Sequence, residues 1–175
     1  MTIVLLPILT ACALTACSPK FDWRDVHAAQ TPYTVLMPAK PDTVSRQILL
    51  GQQTVSMQMT GTQIDGVSFV VGAVKMPDAT QAQAAMSLIK QGLLNNLHGK
   101  ITHEKTTVTT IDGKILFNDE FGATSMNTDA HGSANRMLGR IVASDAWVFQ
   151  VLVAGPEKII NRDAVDTFLS SFKPL

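Results

Sequence analysis

Ser125, Asp129 and His131 fall within one polar stretch, "ATSMNTDAHGS" (123–133). A hydroxyl, a carboxylate and an imidazole are the groups of a nucleophile, an orienter and a general base, so a hydrolase is one reading. Spacing along the chain does not assemble such a set. Triads are recognised by geometry, their members usually come from separate elements, and no G-x-S-x-G elbow is present. The stretch is the longest in the domain without apolar periodicity, so it reads as a loop and a candidate binding loop. The other histidines are His27, His98 and His103. His98 and His103 straddle a helix end, a glycine and a strand start, with only Glu104 nearby as a third ligand. Metal pairs prefer one helix face or a tight hairpin. His98 reads instead as a helix-terminal residue suited to the macrodipole, and no metal is expected. Asp119 and Glu120 are adjacent in a strand and point to opposite faces, which excludes an acid/base pair. No glycine pattern forms a phosphate cradle, and no cofactor is expected. Met57, Met59, Met76, Met86 and Met137 read as adaptable core filler. A small apolar ligand pocket between sheet and helix is the sharper alternative.

The two cysteines, Cys12 and Cys17, lie in "LTACALTACSPK" (9–20). Before and around them, "TIVLLPILTACALTA" (2–16) has the layout of a secretory apolar region and cleavage site. It is shorter than the roughly 20 apolar residues of a spanning helix. Each cysteine follows Leu-Thr-Ala and resembles the lipobox of bacterial lipoproteins, where the cysteine is lipidated and becomes the new N-terminus. Cys17 is the expected lipidation site. An apolar region ending before Cys12 sits at the lower limit of the usual roughly 7–15 residues. Cys17 leads directly into a polar tether. The expected division is a signal peptide at 1–16, a lipidated N-terminus and tether at 17–32, and one domain at 33–175. The lipobox resemblance implies membrane attachment through the N-terminal lipid, whose multiple chains hold better than one. Ser18 after the lipid site implies the outer membrane, facing the periplasm. A cysteine-free domain fits export.

Lys plus Arg equals Asp plus Glu, the formal net charge is zero, and 46% of residues are apolar. A chain of this composition is globular, not disordered. It lacks the concentrated basic surface that nucleic acid requires, so no nucleic-acid partner is expected.

The elements that must position any site are mostly strands. "YTVLM" (33–37) alternates and stops at "PAKP". "QTVSMQMTG" (53–61) places Val55, Met57 and Met59 opposite Thr54, Ser56, Gln58 and Thr60. An Asp-Gly turn leads into 67–76, apolar on both faces and therefore central. A helix follows, with Thr80 and Gln83 as its capping box. Ala82, Ala85, Met86, Ile89, Leu93 and Leu97 form its stripe, and Gly99 its stop. Further strands are expected at 100–111, 114–124, 135–144 and 146–155. Pro156 is expected in the first turn of a closing helix whose stripe is Val165, Phe168, Leu169 and Phe172. Phe21, Trp23 and Val26 are expected on the domain edge. Strand, turn, strand, helix occurs twice, at 53–98 and 135–172. The expected fold is a single α+β domain: a twisted antiparallel sheet of about six or seven strands with two amphipathic helices packed on it.

With the elements in this order, "YTVLMPAKP" (33–41) resembles the opening of bacterial lipoproteins with the PsbP-like fold, with Ala39 where that pattern has Gly. "FLSSFKPL" (168–175) resembles their closing helix end, and "FDWRDV" (21–26) is similar to a segment of uncharacterised proteobacterial envelope proteins. The resemblance implies a non-catalytic accessory, scaffold or binding protein with an envelope protein partner, and not an enzyme. A periplasmic carrier or sensor of a small apolar ligand is the alternative. A hydrolase using the 123–133 loop is the third reading.

Overall fold

The computed structural model describes residues 20–28, 30–128 and 132–175. The first strands are β1 (Arg24–His27), β2 (Tyr33–Met37), β3 (Asp42–Leu50), β4 (Gln53–Ile64) and β5 (Val67–Lys75). Helix α1 (Ala79–Leu97) precedes β6 (Gly99–Ile111), β7 (Lys114–Thr128), β8 (Ala134–Ser144) and β9 (Trp147–Pro156). A 3-10 turn (Glu157–Ile159), helix α2 (Arg162–Ser171) and β10 (Lys173–Pro174) complete the order.

Left-handed aspartates close three hairpins. Asp65 and Gly66 have φ of 49° and 83°, Asp112 and Gly113 have 51° and 79°, and Asp145 has 49°. In the first two turns, two successive residues at positive φ make the tight turn whose twist matches that of paired strands, whereas at the third only Asp145 is left-handed. These hairpins build an antiparallel sheet of seven strands in the order β3-β4-β5-β9-β8-β7-β6. Three strands, β1-β2-β10, form a separate small sheet.

The expected single α+β domain, a sheet of about six or seven strands with two helices packed on it, is what the described residues adopt. The large sheet has seven strands, and the three-stranded sheet adds to that expectation. The helices lie on opposite faces of the large sheet. Ala82, Ala85, Met86 and Ile89 of α1 pack with Val74, Phe121, Ile141 and Val148. Ala164, Val165 and Phe168 of α2 pack with Phe69, Val71, Val142 and Phe149, and Tyr33, Val35 and Met37 of β2 join them. Phe168 is fully buried, which contributes about 2 kcal/mol. β5 is third of seven strands, and Val71 and Val74 are both fully buried from opposite faces. That is the central, twice-covered strand its sequence called for. Phe21, Trp23 and Val26 pack against the α2-face core as expected.

Several local expectations need correction. Residues 24–27, counted with the tether, form β1 and pair with β2 from Arg24↔Met37 to His27↔Thr34. β2 buries alternate side chains and its backbone gains ladder partners on both sides. Thr60 is buried, not exposed with its polar neighbours, because the α2 face is covered there. Its hydroxyl meets that of Thr43 at 3.0 Å. Helix α1 is capped by Asp78, whose carboxylate accepts from Gln81 N at 2.8 Å and from the Gln81 amide at 3.0 Å. The box therefore sits two residues before Thr80. The left-handed residue ending α1 is His98 (φ 49°, ψ 43°), and Gly99 already belongs to β6. A Cβ at Gly99 would come within 2.9 Å of the Thr124 carbonyl, so glycine is needed there for close approach. Pro156 ends β9, and α2 starts at Arg162 with Asn161 as its cap. The strand expected at 114–124 runs on to Thr128, so residues 125–128, expected in a loop, belong to β7. Among the described residues no helix is long and apolar enough to cross a membrane.

Candidate functional site

Side chains alternate along a strand, so register fixes what each face of β6, β7 and β8 carries. On the α2 face, Lys105↔Glu120 and Glu120↔Arg140 place three charges in one cross-strand row. The next row runs Thr107, Asn118 and Val142. Two hollows flank these rows, both walled on one side by α2 or the C-terminal segment.

The larger hollow is a groove of about 740 Å³. Ile111, Leu116, Val142, Phe172 and Leu175 give it apolar walls, and its charged side chains are Arg140, Lys114, Lys173 and Asp112. Arg140 is held by neutral groups. Its Nε donates to Asn118 Oδ1 at 2.8 Å and its Nη1 to the Leu169 carbonyl at 3.2 Å. Asn118 in turn donates to Thr107 Oγ1 at 3.3 Å, and the guanidinium lies 5.9 Å from the Phe172 ring centre. Burial pulls Arg140 below the usual guanidinium range, against the attraction of Glu120. Among the described residues no carboxylate forms an ion pair with Arg140.

The smaller hollow, about 320 Å³, contains His103, Glu120, Arg136, Glu157, Arg162 and Asp166. Arg136 Nη1 donates to Glu157 Oε1 at 3.0 Å, and its buried Nε has no hydrogen-bond partner among the described residues. A register shift between Ile101 and His103 sends His103 across Gly122. A Cβ at Gly122 would lie 2.2 Å from the imidazole Cε1, so this packing requires glycine.

On the α1 face, Asp119 is buried and pairs with Lys90 from α1, which also bonds Glu104. Thr106 Oγ1 donates to Asp119 Oδ1 at 3.4 Å. Burial pushes the Lys90 ammonium down, but hydrogen bonds and charge from Asp119 and Glu104 outweigh it and hold the group above its usual range. The hydrogen bond from Lys90 holds the Glu104 carboxyl below the usual carboxylate range.

The structure separates most residues that the sequence singled out. Asp119 and Glu120 face opposite sides, as alternation requires. His98 ends α1, His103 lies on the α2 face and Glu104 bonds Lys90. Among the described residues no three His, Cys, Asp or Glu side chains are placed to hold a metal ion. Ser125 is a half-buried β7 residue paired with Gly99, and its Oγ accepts from Asn127 N at 3.1 Å. Asp129, His131, Cys12 and Cys17 lie outside the described residues. Lys90 and Arg140 escaped sequence reasoning. A signal for Arg140 existed: Arg136 and Arg140, four apart in one strand, must share a face within "NRMLGRIVAS". No protein-family model matches the chain, and no curated protein matches it significantly.

Proposed function

We propose that the chain is a non-catalytic accessory module of the bacterial cell envelope with a PsbP-like fold. In this reading it is lipidated on Cys17, held at the outer membrane facing the periplasm, and binds an extended segment of a partner protein along β6. The observation that supports partner binding is the β6 edge. β6 runs 13 residues and pairs only with β7 among the described residues. Beyond Lys105 it reads Thr-Thr-Val-Thr-Thr-Ile, uncharged and β-branched, with Val108 59% exposed. An unpaired edge of this length offers a row of backbone donors and acceptors to an incoming strand.

The test is a photo-crosslinking residue at Val108 of the full chain in living cells, compared with one at Val44 on the opposite edge strand β3. The expected result is a discrete protein adduct from position 108, absent from position 44 and weakened by Thr110→Lys. Equal labelling at both positions sinks the proposal. A second reading, a carrier of a small apolar ligand, is favoured by the α2-face groove.

A further inference from the structure

We infer that the groove between β6–β8 and the C-terminal segment is a binding site for a long-chain carboxylate, with Arg140 receiving the headgroup and the apolar walls receiving the chain. This deepens the ligand-carrying reading and does not depend on the β6 edge.

The volume, about 740 Å³, lies in the range of small-molecule sites. The lining divides into the two parts such a ligand has. Ile111, Leu116, Val142, Phe172 and Leu175 are apolar; of the charged side chains Lys114 already pairs with Asp145 at 3.8 Å, which leaves Arg140 and Lys173 against Asp112. That imbalance occurs on a chain of formal net charge zero. Arg140 is the cation built into the floor. Asn118 and the Leu169 carbonyl engage two of its donors and fix its plane. Neither neutralises its charge, and the remaining N–H donors of a guanidinium fit a carboxylate edge. A partly desolvated, oriented cation gains more from an incoming anion than a solvated one does. A wholly apolar ligand would add nothing to the attraction Arg140 has from Glu120 across the strands, and a short polar acid would leave the apolar walls in water.

Arg140 also meets the C-terminal end of α2 through Leu169, so the experiment must move something a purely structural role would not. We would titrate the full chain, purified without detergent, with dodecanoate carbon-labelled at the carboxyl and follow the bound signal by NMR. Dodecanol serves as the uncharged control. The expected result is one saturable site that binds dodecanoate about tenfold or more tighter than dodecanol, the scale of one charge-assisted hydrogen-bonded pair. The bound carboxyl should stay ionised to lower pH than the free acid. Arg140→Met should abolish both the preference and the pH displacement. Thr109→Trp, which fills the groove from an exposed position, should abolish binding with Arg140 intact. Equal affinity for acid and alcohol overturns the inference, as does an Arg140→Met variant that changes only the melting temperature. Tighter binding of a peptide through its C-terminal carboxylate would also overturn it, assigning the groove to a protein tail. Failure here leaves crosslinking at Val108 unaffected, so the two proposals fall separately.

Discussion

On the α1 face of the sheet Lys90 meets two carboxylates, Asp119 and Glu104. On the α2 face Arg140 meets an amide and a carbonyl. Both cations stand over the same three-strand region, β6 to β8, and both are partly withdrawn from water. The first is paired within the fold, by one carboxylate more than its charge requires. The second has no ion pair among the described residues, only the cross-strand attraction of Glu120, and lies beside an open groove. The cover explains the difference. The 19 residues of α1 reach Lys90 out over β6 and β7. The 10 residues of α2, with the small sheet, cover mainly β5, β9 and part of β8. The strand ends left bare on that side form the groove.

The strongest way to break this arrangement is Val71→Asp. It places an unpaired charge at a fully buried position of a central strand and should cost about 4 kcal/mol or more. Urea denaturation would show it, and a variant as stable as the parent would contradict the two-sided cover. Lys90→Met comes next. Removing one member of a buried ion cluster usually costs 3–5 kcal/mol, but Glu104 is 39% exposed, so about 2 kcal/mol is expected.

The same variant carries a pH signature. The Glu104 carboxyl is lowered in the folded state. Its contribution is present above the unfolded carboxylate value, about 4.3, and is lost as pH falls through the folded one. The Lys90 ammonium is raised, so its contribution is present below about 10.4 and is lost as pH rises through the folded value. The stability difference between parent and Lys90→Met should therefore shrink at both acid and alkaline extremes.

Smaller effects sharpen the contrast. Asn161→Ala removes the α2 cap, whose Oδ1 accepts from Ala164 N at 2.8 Å, and should cost about 1 kcal/mol. Arg140→Met should change stability by less than about 1 kcal/mol. It gives up two hydrogen bonds but also releases a desolvated charge that has no ion partner. If Arg140→Met proved as costly as Lys90→Met, the two faces would not differ as described.

Much of the fold was written in short-range patterns. Asp-Gly pairs at 65–66 and 112–113 announced their hairpins, and the doubly apolar run 67–76 announced a central strand. The α1 and α2 stripes announced two covered faces. What escaped was set by distant chain. "RDVH" carries no strand pattern of its own, and becomes β1 because β2 offers it an edge. Thr60 looks solvent-facing until Tyr33 is laid over that side. Ser125 looked like loop because "SMNT" is polar, yet pairing with Gly99 carries β7 onward. Arg140 was visible as a charge in a strand. Its role depends on Asn118 and Leu169, which no local pattern connects to it.

The strand order also constrains how the molecule assembles. The hairpins closed at Asp65, Asp112 and Asp145 pair neighbouring segments and can form on their own within microseconds. The seam between β5 and β9 cannot, because it joins Val71 to Val151 across the intervening α1 and β6–β8. β2 waits longer still, since its second partner is Lys173–Pro174 at the far end of the chain. A chain emerging N-terminus first therefore holds Tyr33, Val35 and Met37 without their finished cover until its last strand arrives. Non-local closure of this kind slows folding, and deleting residues 172–175 would stop it at the final step.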